Sequence, residues 1–331
     1  MTESGVDEKS AAHEGVAETG GHQLASNSAR RALDIVGDRW TLMILHLAFT
    51  SVRRFEDFQS RIGLARSLLT DRLRRMEKAG VVRRERYQDR PPRDEYVLTP
   101  MGIDLFGSAL MIIRWEKRWF YDPDVIVHRL RHSCGKVFMP ELHCATCDIE
   151  VVARDVTAVD GPGAGFEPPQ KPRAQRRSTV ARGELDPHQK MLERAIEVLG
   201  DRWTAQTIAS AFGGTRRFNA LQAVLGVAPN ILAERLSRLV ELGVLARRRY
   251  QDKPERFEYV LTPEGLDLFP LILELIRWGD RWLAGDAGPP QIIRHRPCGT
   301  VLKTRIICDQ CGETVSVVST SFDAVSDPPA R

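Results

Sequence analysis

The chain has 331 residues, 42% hydrophobic and 28% charged, with a formal net charge of +4. That length exceeds one ordinary domain, and the composition is that of a soluble globular protein. No stretch approaches about 20 consecutive apolar residues, which argues against a transmembrane helix, and the acidic start (Glu3, Asp7, Glu8, Glu14, Glu18) lacks the basic and apolar regions of a secretory signal.

In chain order, residues 1–28 read as a disordered acidic tail of a cytoplasmic protein. A domain over 29–122 follows. Ala32, Leu33, Ile35 and Val36 open a short helix, and a second runs from Thr41 to about Phe49. Phe55, Phe58 and Ile62 recur at i, i+3, i+7, the spacing of an amphipathic helix. A break at Gly63 leads to a helix over 66–79, ended by Gly80. Two helices joined by a short turn have the pattern of a helix-turn-helix. On the second of them Leu69, Leu73 and Met76 share the core face, while Ser67, Thr70, Asp71, Arg74, Arg75 and Lys78 share the opposite one. That opposite face is the one a helix-turn-helix places in the major groove. Arg72 lies nearer the core edge, where a structural ion pair and a DNA contact both stay open. Residues 81–88 and 95–98 predict a hairpin, and Arg83, Arg84, Arg86, Arg90 and Arg93 make it a basic wing suited to phosphate or the minor groove. Thr99 and Pro100 open a last long helix, to about Tyr121, with Leu105, Ile112, Trp115 and Trp119 on its apolar stripe.

A β-prone cysteine segment, 123–157, comes next, then a Gly-, Pro- and Arg-rich stretch, 158–187, that reads as a flexible basic linker. Beyond it the chain repeats itself. Gly37-Asp38-Arg39-Trp40-Thr41 returns as Gly200-Asp201-Arg202-Trp203-Thr204, and Glu95-Tyr96-Val97-Leu98-Thr99-Pro100 as Glu258-Tyr259-Val260-Leu261-Thr262-Pro263, both 163 positions on. All six tryptophans pair at this offset. The period is too long for a solenoid, so each copy is a domain. The second covers 188–285, with its cysteine segment over 286–320 and a disordered tail over 321–331. Its equivalent helix presents Asn230, Glu234, Ser237, Arg238 and Glu241, a less positive face, whereas its hairpin keeps Arg247, Arg248, Arg249, Lys253 and Arg256. A strictly palindromic operator therefore suits this chain poorly.

The cysteine segments carry His132, Cys134, Cys144 and Cys147 in the first copy and His295, Cys298, Cys308 and Cys311 in the second. Nine residues separate the leading cysteine from the CxxC in both. Three thiols and a histidine per copy match a Cys3His tetrahedral zinc site, structural because four protein ligands leave no open position. Reduced cysteines without metal, and a thiol switch, are the alternatives; His143 is an alternative ligand in the first copy. The expected architecture is mainly α with small β: two winged helix-turn-helix domains, each followed by a short zinc-ribbon-like segment.

The run of Arg31-Ala32-Leu33-Asp34-Ile35-Val36-Gly37-Asp38-Arg39-Trp40-Thr41, then Arg53-Arg54-Phe55, then Leu68 to Val82, then Pro91 to Gly102 resembles the HxlR-type winged-helix regulators, relatives of the MarR group. The resemblance implies double-stranded DNA binding, usually as a dimer, with transcription as the output. Tandem fusion implies an intrachain pseudo-dimer, with a homodimer of chains as the alternative and a small-molecule effector as a further partner. Some members sense electrophiles through a cysteine near the first helix; Ala29 to Arg31 and Lys190 to Leu192 hold none here. No phosphate loop, nucleophile elbow or distinct carboxylate pair points to an enzyme. A thiol-responsive sensor or a protein-interaction module on the same scaffold is the competing reading.

Overall fold

The computed structural model describes residues 24–120, 129–167 and 192–323. The expected tails over 1–23 and 324–331, and the linker from 168 on, lie outside the described residues.

The first half runs β1 (Leu24–Ala25), α1 (Ser28–Val36), α2 (Arg39–Phe49), α3 (Phe55–Ile62), α4 (Arg66–Lys78), β2 (Val82–Gln88), β3 (Arg93–Leu98), α5 (Pro100–Ile103) and α6 (Phe106–Trp119). Local chemistry sets these boundaries. Asp38 caps α2, accepting from the Trp40 and Thr41 N–H groups at 3.1 and 3.2 Å. Gly63 ends α3 in the left-handed region, φ 72°, where a side chain would be strained. Leu69, Leu73 and Met76 bury the inner face of α4, as the wheel predicts.

Three strands of the cysteine segment follow, β4 (Arg129–His132), β5 (Pro140–Cys144) and β6 (Val156–Asp160), then β7 (Phe166–Glu167). The second half repeats the plan: α7 (Glu193–Leu199), α8 (Arg202–Phe212), α9 (Phe218–Leu225), α10 (Pro229–Glu241), β8 (Leu245–Gln251), β9 (Arg256–Leu261), α11 (Pro263–Leu266), α12 (Phe269–Leu283), β10 (Gln291–His295), β11 (Thr304–Cys308) and β12 (Thr320–Asp323). Asp201 caps α8 as Asp38 caps α2.

Each expected long final helix is broken in two. In the first half the break falls at Asp104 and Leu105, and it serves the other half: Arg277 donates to the Asp104 carboxylate and main-chain carbonyl at 3.0 Å, and Trp282 Nε1 to the carboxylate at 2.8 Å. The halves meet along α1, α6, α7 and α12. Trp115 and Trp278 are 1% and 0% exposed, so both are core residues, and each is also tied across the seam. The first donates to the Glu264 carbonyl, the second to the Met101 carbonyl, both at 2.8 Å. Where the first half has Glu116, the second has Gly279, and a Cβ there would lie 2.4 Å from the Ser28 carbonyl oxygen. The two sides of the seam are thus similar in plan and different in detail.

The cysteine segments depart from the expected pair of self-contained, zinc-ribbon-like modules. Every strand in them pairs with a strand of the other half: β4 with β12, β5 with β11 and β6 with β10, all antiparallel. Within the stretch expected to be linker from residue 158, β6 continues to Asp160 and β7 pairs with β1. Likewise β12 extends to Asp323, past the expected start of the tail.

Candidate nucleic-acid interface and the His–Cys clusters

On α4, Ser67, Arg74, Arg75 and Lys78 are exposed and Thr70 is half-buried. Arg75 is paired with Asp71 at 2.9 Å, and the Thr70 hydroxyl donates back to the Arg66 carbonyl at 2.8 Å. Arg74 and Lys78 have no ion pair among the described residues. Arg72 instead faces inward to Asp38 at 3.5 Å, as Arg235 faces Asp201 at 2.9 Å, so this arginine braces the capping aspartate. On the adjacent hairpin, Arg83, Arg84 and Arg86 are held by Glu85, Glu77 and Asp94. The Glu77 carboxylate holds the Arg84 guanidinium above its ordinary pKa. Arg90 and Arg93, at the tip, are exposed and without an ion pair among the described residues.

On the second half's equivalent helix the outward arginine is met by that half's own acids. Arg238 on α10 binds Glu197 at 2.6 Å and Glu241 at 3.0 Å. Ser237 and Glu241 stand where the first half has Arg74 and Lys78, and Asn230 is exposed. Arg248 is paired with Glu258, Arg249 with Asp252 and Glu255, and Arg247 lies 3.5 Å over the Phe257 ring. Lys253 and Arg256 stay exposed at this hairpin's tip. Position alone identified these basic residues; which of them are neutralised depends on acids, such as Glu197 and Glu77, that reach them from other elements.

The eight predicted ligands come together in two clusters, but not copy by copy. His132 and Cys134 join Cys308 and Cys311, while His295 and Cys298 join Cys144 and Cys147, the ligand atoms of each group lying within 4.8 Å of one another. The within-copy grouping is corrected by the strand pairing, which sets each His-bearing strand end beside the other half's CxxC. His132 Nδ1 is 3.3 Å from Cys311 Sγ, and His295 Nδ1 is 3.4 Å from both Cys147 and Cys298. Both imidazoles are buried, at 4% and 0% exposure. His143 belongs to neither cluster; it hydrogen-bonds Asp148 and Glu141. The left-handed turns after each CxxC, at Asp148 (φ 61°) and Gly312 (φ 74°), fold the chain back so both sulfurs face one point. All six cysteines are free. The Thr300 hydroxyl and N–H, with His295, lower the Cys298 thiol to about 6. The Lys136 N–H and His132 lower Cys134 to about 7, and burial pushes Cys308 up to about 11.

A third feature lies at the seam. An open-mouthed apolar cavity is lined by Leu33, Leu45, Phe49 and Ile112 of the first half and Ile196 and Leu271 of the second. Ser108 and Ala109 line it, at positions the second half fills with Leu271 and Ile272. The Ser108 hydroxyl is buried and has no hydrogen-bond partner among the described residues. The repeat offset itself carries this signal, two small residues where the other copy has two large ones. So does the recurrence of Asp104 as Asp267 beside the paired tryptophans.

The HxlR-like helix-turn-helix family matches residues 35–124 and again 198–287. An uncharacterized HTH-type transcriptional regulator of Mycobacterium tuberculosis is 46% identical over 123 residues, 37% of this chain and 78% of the relative. Another, YvaP of Bacillus subtilis, is 34% identical over 92 residues, 28% of this chain and 85% of the relative. Among solved structures, the reduced form of the transcriptional regulator YodB from B. subtilis is similar, at 28% identity over 28% of this chain and 91% of that one, with a TM-score of 0.26. No helix among the described residues is long and apolar enough to cross a membrane.

Proposed function

Because the chain belongs to the HxlR-like helix-turn-helix family, we infer that it is a sequence-specific DNA-binding transcriptional regulator of the cytoplasm, not an enzyme, acting on duplex DNA as an intrachain pseudo-dimer. The observation that carries this reading is the exposed Arg74 and Lys78 on α4, with no ion pair among the described residues, together with the exposed Arg90 and Arg93 of the hairpin tip. In this reading α4 enters the major groove, with Ser67, Thr70, Arg74 and Arg75 toward base edges and backbone, and the hairpin acts as a wing on phosphates. The reciprocal seam through α6 and α12 supplies within one chain the surface that single-copy regulators would use to dimerise.

The halves would not read DNA alike. The second helix offers Asn230 and Ser237, with Arg238 already engaged by two carboxylates, so its grip falls on Arg247, Lys253 and Arg256 of its wing. One half-site is then read through bases and the other mainly through backbone. The seam cavity, apolar apart from Ser108 and His46 in its lining, suits a small and mainly apolar effector. Each His–Cys cluster holds a structural zinc ion: three thiols and an imidazole are a soft donor set that favours zinc and leaves no open coordination position.

The test is fluorescence anisotropy of the full chain with duplex DNA from upstream of its own gene, against scrambled duplex of equal length, across a salt series. Tight, sequence-selective binding with a steep salt slope is expected. Equal affinity for both duplexes at every salt concentration, there and on duplexes selected from random sequence, would overturn the reading in favour of a protein-interaction module.

A further inference from the structure

The crossing of the clusters gives the metal a role beyond bracing a small module. We propose that the two zinc centres are composite clasps, each drawing two ligands from each half, so that the ions lock the halves of one chain together. One centre is His132 and Cys134 with Cys308 and Cys311; the other is His295 and Cys298 with Cys144 and Cys147. This deepens the zinc reading above and rests on it.

Distances, burial and topology carry the argument. In a tetrahedral centre with Zn–S near 2.3 Å, two sulfurs stand about 3.8 Å apart. Cys144 Sγ and Cys298 Sγ, from different halves, are 3.9 Å apart. That is close to the metal-site value and far from the roughly 2.05 Å of a disulfide. Each buried histidine turns Nδ1, and not Nε2, toward the sulfurs of the opposite half. The backbone leads to the same assignment. In the β5–β11 ribbon Cys144 stands opposite Thr304 and Cys308 opposite Pro140, so the two CxxC turns sit at opposite ends of one antiparallel pair. His132 ends β4 opposite Thr320 of β12, and His295 ends β10 opposite Val156 of β6. Each CxxC is thereby delivered to the other half's histidine, while the two CxxC turns are held apart. Metal binding to such a site is free energy of assembly, here of one half on the other. With the zinc bound, the seam between α6 and α12 is closed at its cysteine-bearing end, and the separation of the two DNA-reading helices is held fixed.

Paired ligand removal in the full chain tests the assignment, with zinc counted by native mass spectrometry on the compact, low-charge ions so that folding and metal content are read together. The unaltered chain should carry two zinc ions. Cys134→Ser with Cys311→Ser strikes one composite centre from both sides and should leave one ion; Cys144→Ser with Cys298→Ser should do the same at the other. Cys134→Ser with Cys147→Ser, both in the first half, strikes both centres and should leave none. Sites closed within each copy would reverse the pattern, with one ion in the last variant and none in the first two, and would overturn the crossing while leaving zinc in place. An unaltered chain without zinc, purified reduced from zinc-supplemented cells, would remove the metal reading itself. Failure of both same-centre variants to give compact ions would also count against the proposal, since one intact clasp and two helical cores remain in each.

Discussion

Trp119 of the first half donates its indole N–H to the Asp267 carboxylate of the second at 2.8 Å, and Trp282 of the second donates to Asp104 of the first at the same distance. The relationship is reciprocal, as across a two-fold axis, although both partners belong to one chain. Asp267 also accepts from the buried Arg114 at 2.8 Å. Its removal leaves a buried guanidinium with, among the described residues, only Glu150, at 3.1 Å, to answer it. Asp267→Ala should therefore cost about 3 kcal/mol of stability, read as a lower urea midpoint. An unchanged midpoint would show that the seam is not held by this pair.

Unlike Arg75, Arg74 and Lys78 form no ion pair among the described residues. Arg74→Ala should weaken specific DNA binding by roughly tenfold and reduce the salt slope by about 1, the loss of one cationic contact. In the second half, Ser237→Arg with Glu241→Lys restores the first-half charges and should tighten binding and steepen the slope. If Arg74→Ala changes neither affinity nor slope in the anisotropy assay, α4 does not face the DNA.

Glu116 is buried at the seam and accepts from the Ala195 N–H at 2.5 Å. Burial, opposed by that hydrogen bond and by Arg194, raises its pKa from 4.5 to about 8. The folded state thus holds a proton that the unfolded chain releases. The stabilising difference is fully present below about pH 4.5 and is lost as pH rises through about 8. Glu116→Gln should match the parent at pH 4.5 and exceed it by on the order of 1–3 kcal/mol at pH 8.5. Thermal melts across this range check it; a gain independent of pH would mean the carboxyl is ionised throughout.

Ser108 and Ala109 line the cavity, and Leu271 and Ile272 stand at the equivalent positions of the second half. Ser108→Leu with Ala109→Ile should fill it, remove an unsatisfied hydroxyl and raise stability by about 1 kcal/mol. The same pair should abolish binding of a small apolar fluorophore by the parent. Fluorophore binding that survives the substitutions would place the apolar site elsewhere.

Much of this protein was legible in its residues, because the decisive interactions were local. The wheel of α4 places Leu69, Leu73 and Met76 inward by periodicity alone, and Asp38 and Asp201 start their helices through their own side chains. The Gly37-to-Thr41 motif and its return mark two copies of one plan, and the eight His and Cys residues are identified by spacing. What spacing leaves open in a tandem repeat is which copy supplies each partner. A contact from Cys134 to the CxxC of its own copy, and one to the equivalent CxxC 164 positions on (144 to 308), satisfy the same motif. Only tertiary structure separates them, through the antiparallel pairing of β5 with β11 and the seating of α6 against α12. The broken final helices and the neutralised Arg238 have the same cause: Asp104 turns toward Arg277, and Glu197 toward Arg238, across distances in sequence that periodicity does not span. The elements and their chemistry were readable from the residues alone, because helix caps, turns and apolar stripes act within a few residues. The tertiary structure decided the partnership between the halves, because that depends on how two nearly equivalent surfaces are brought face to face.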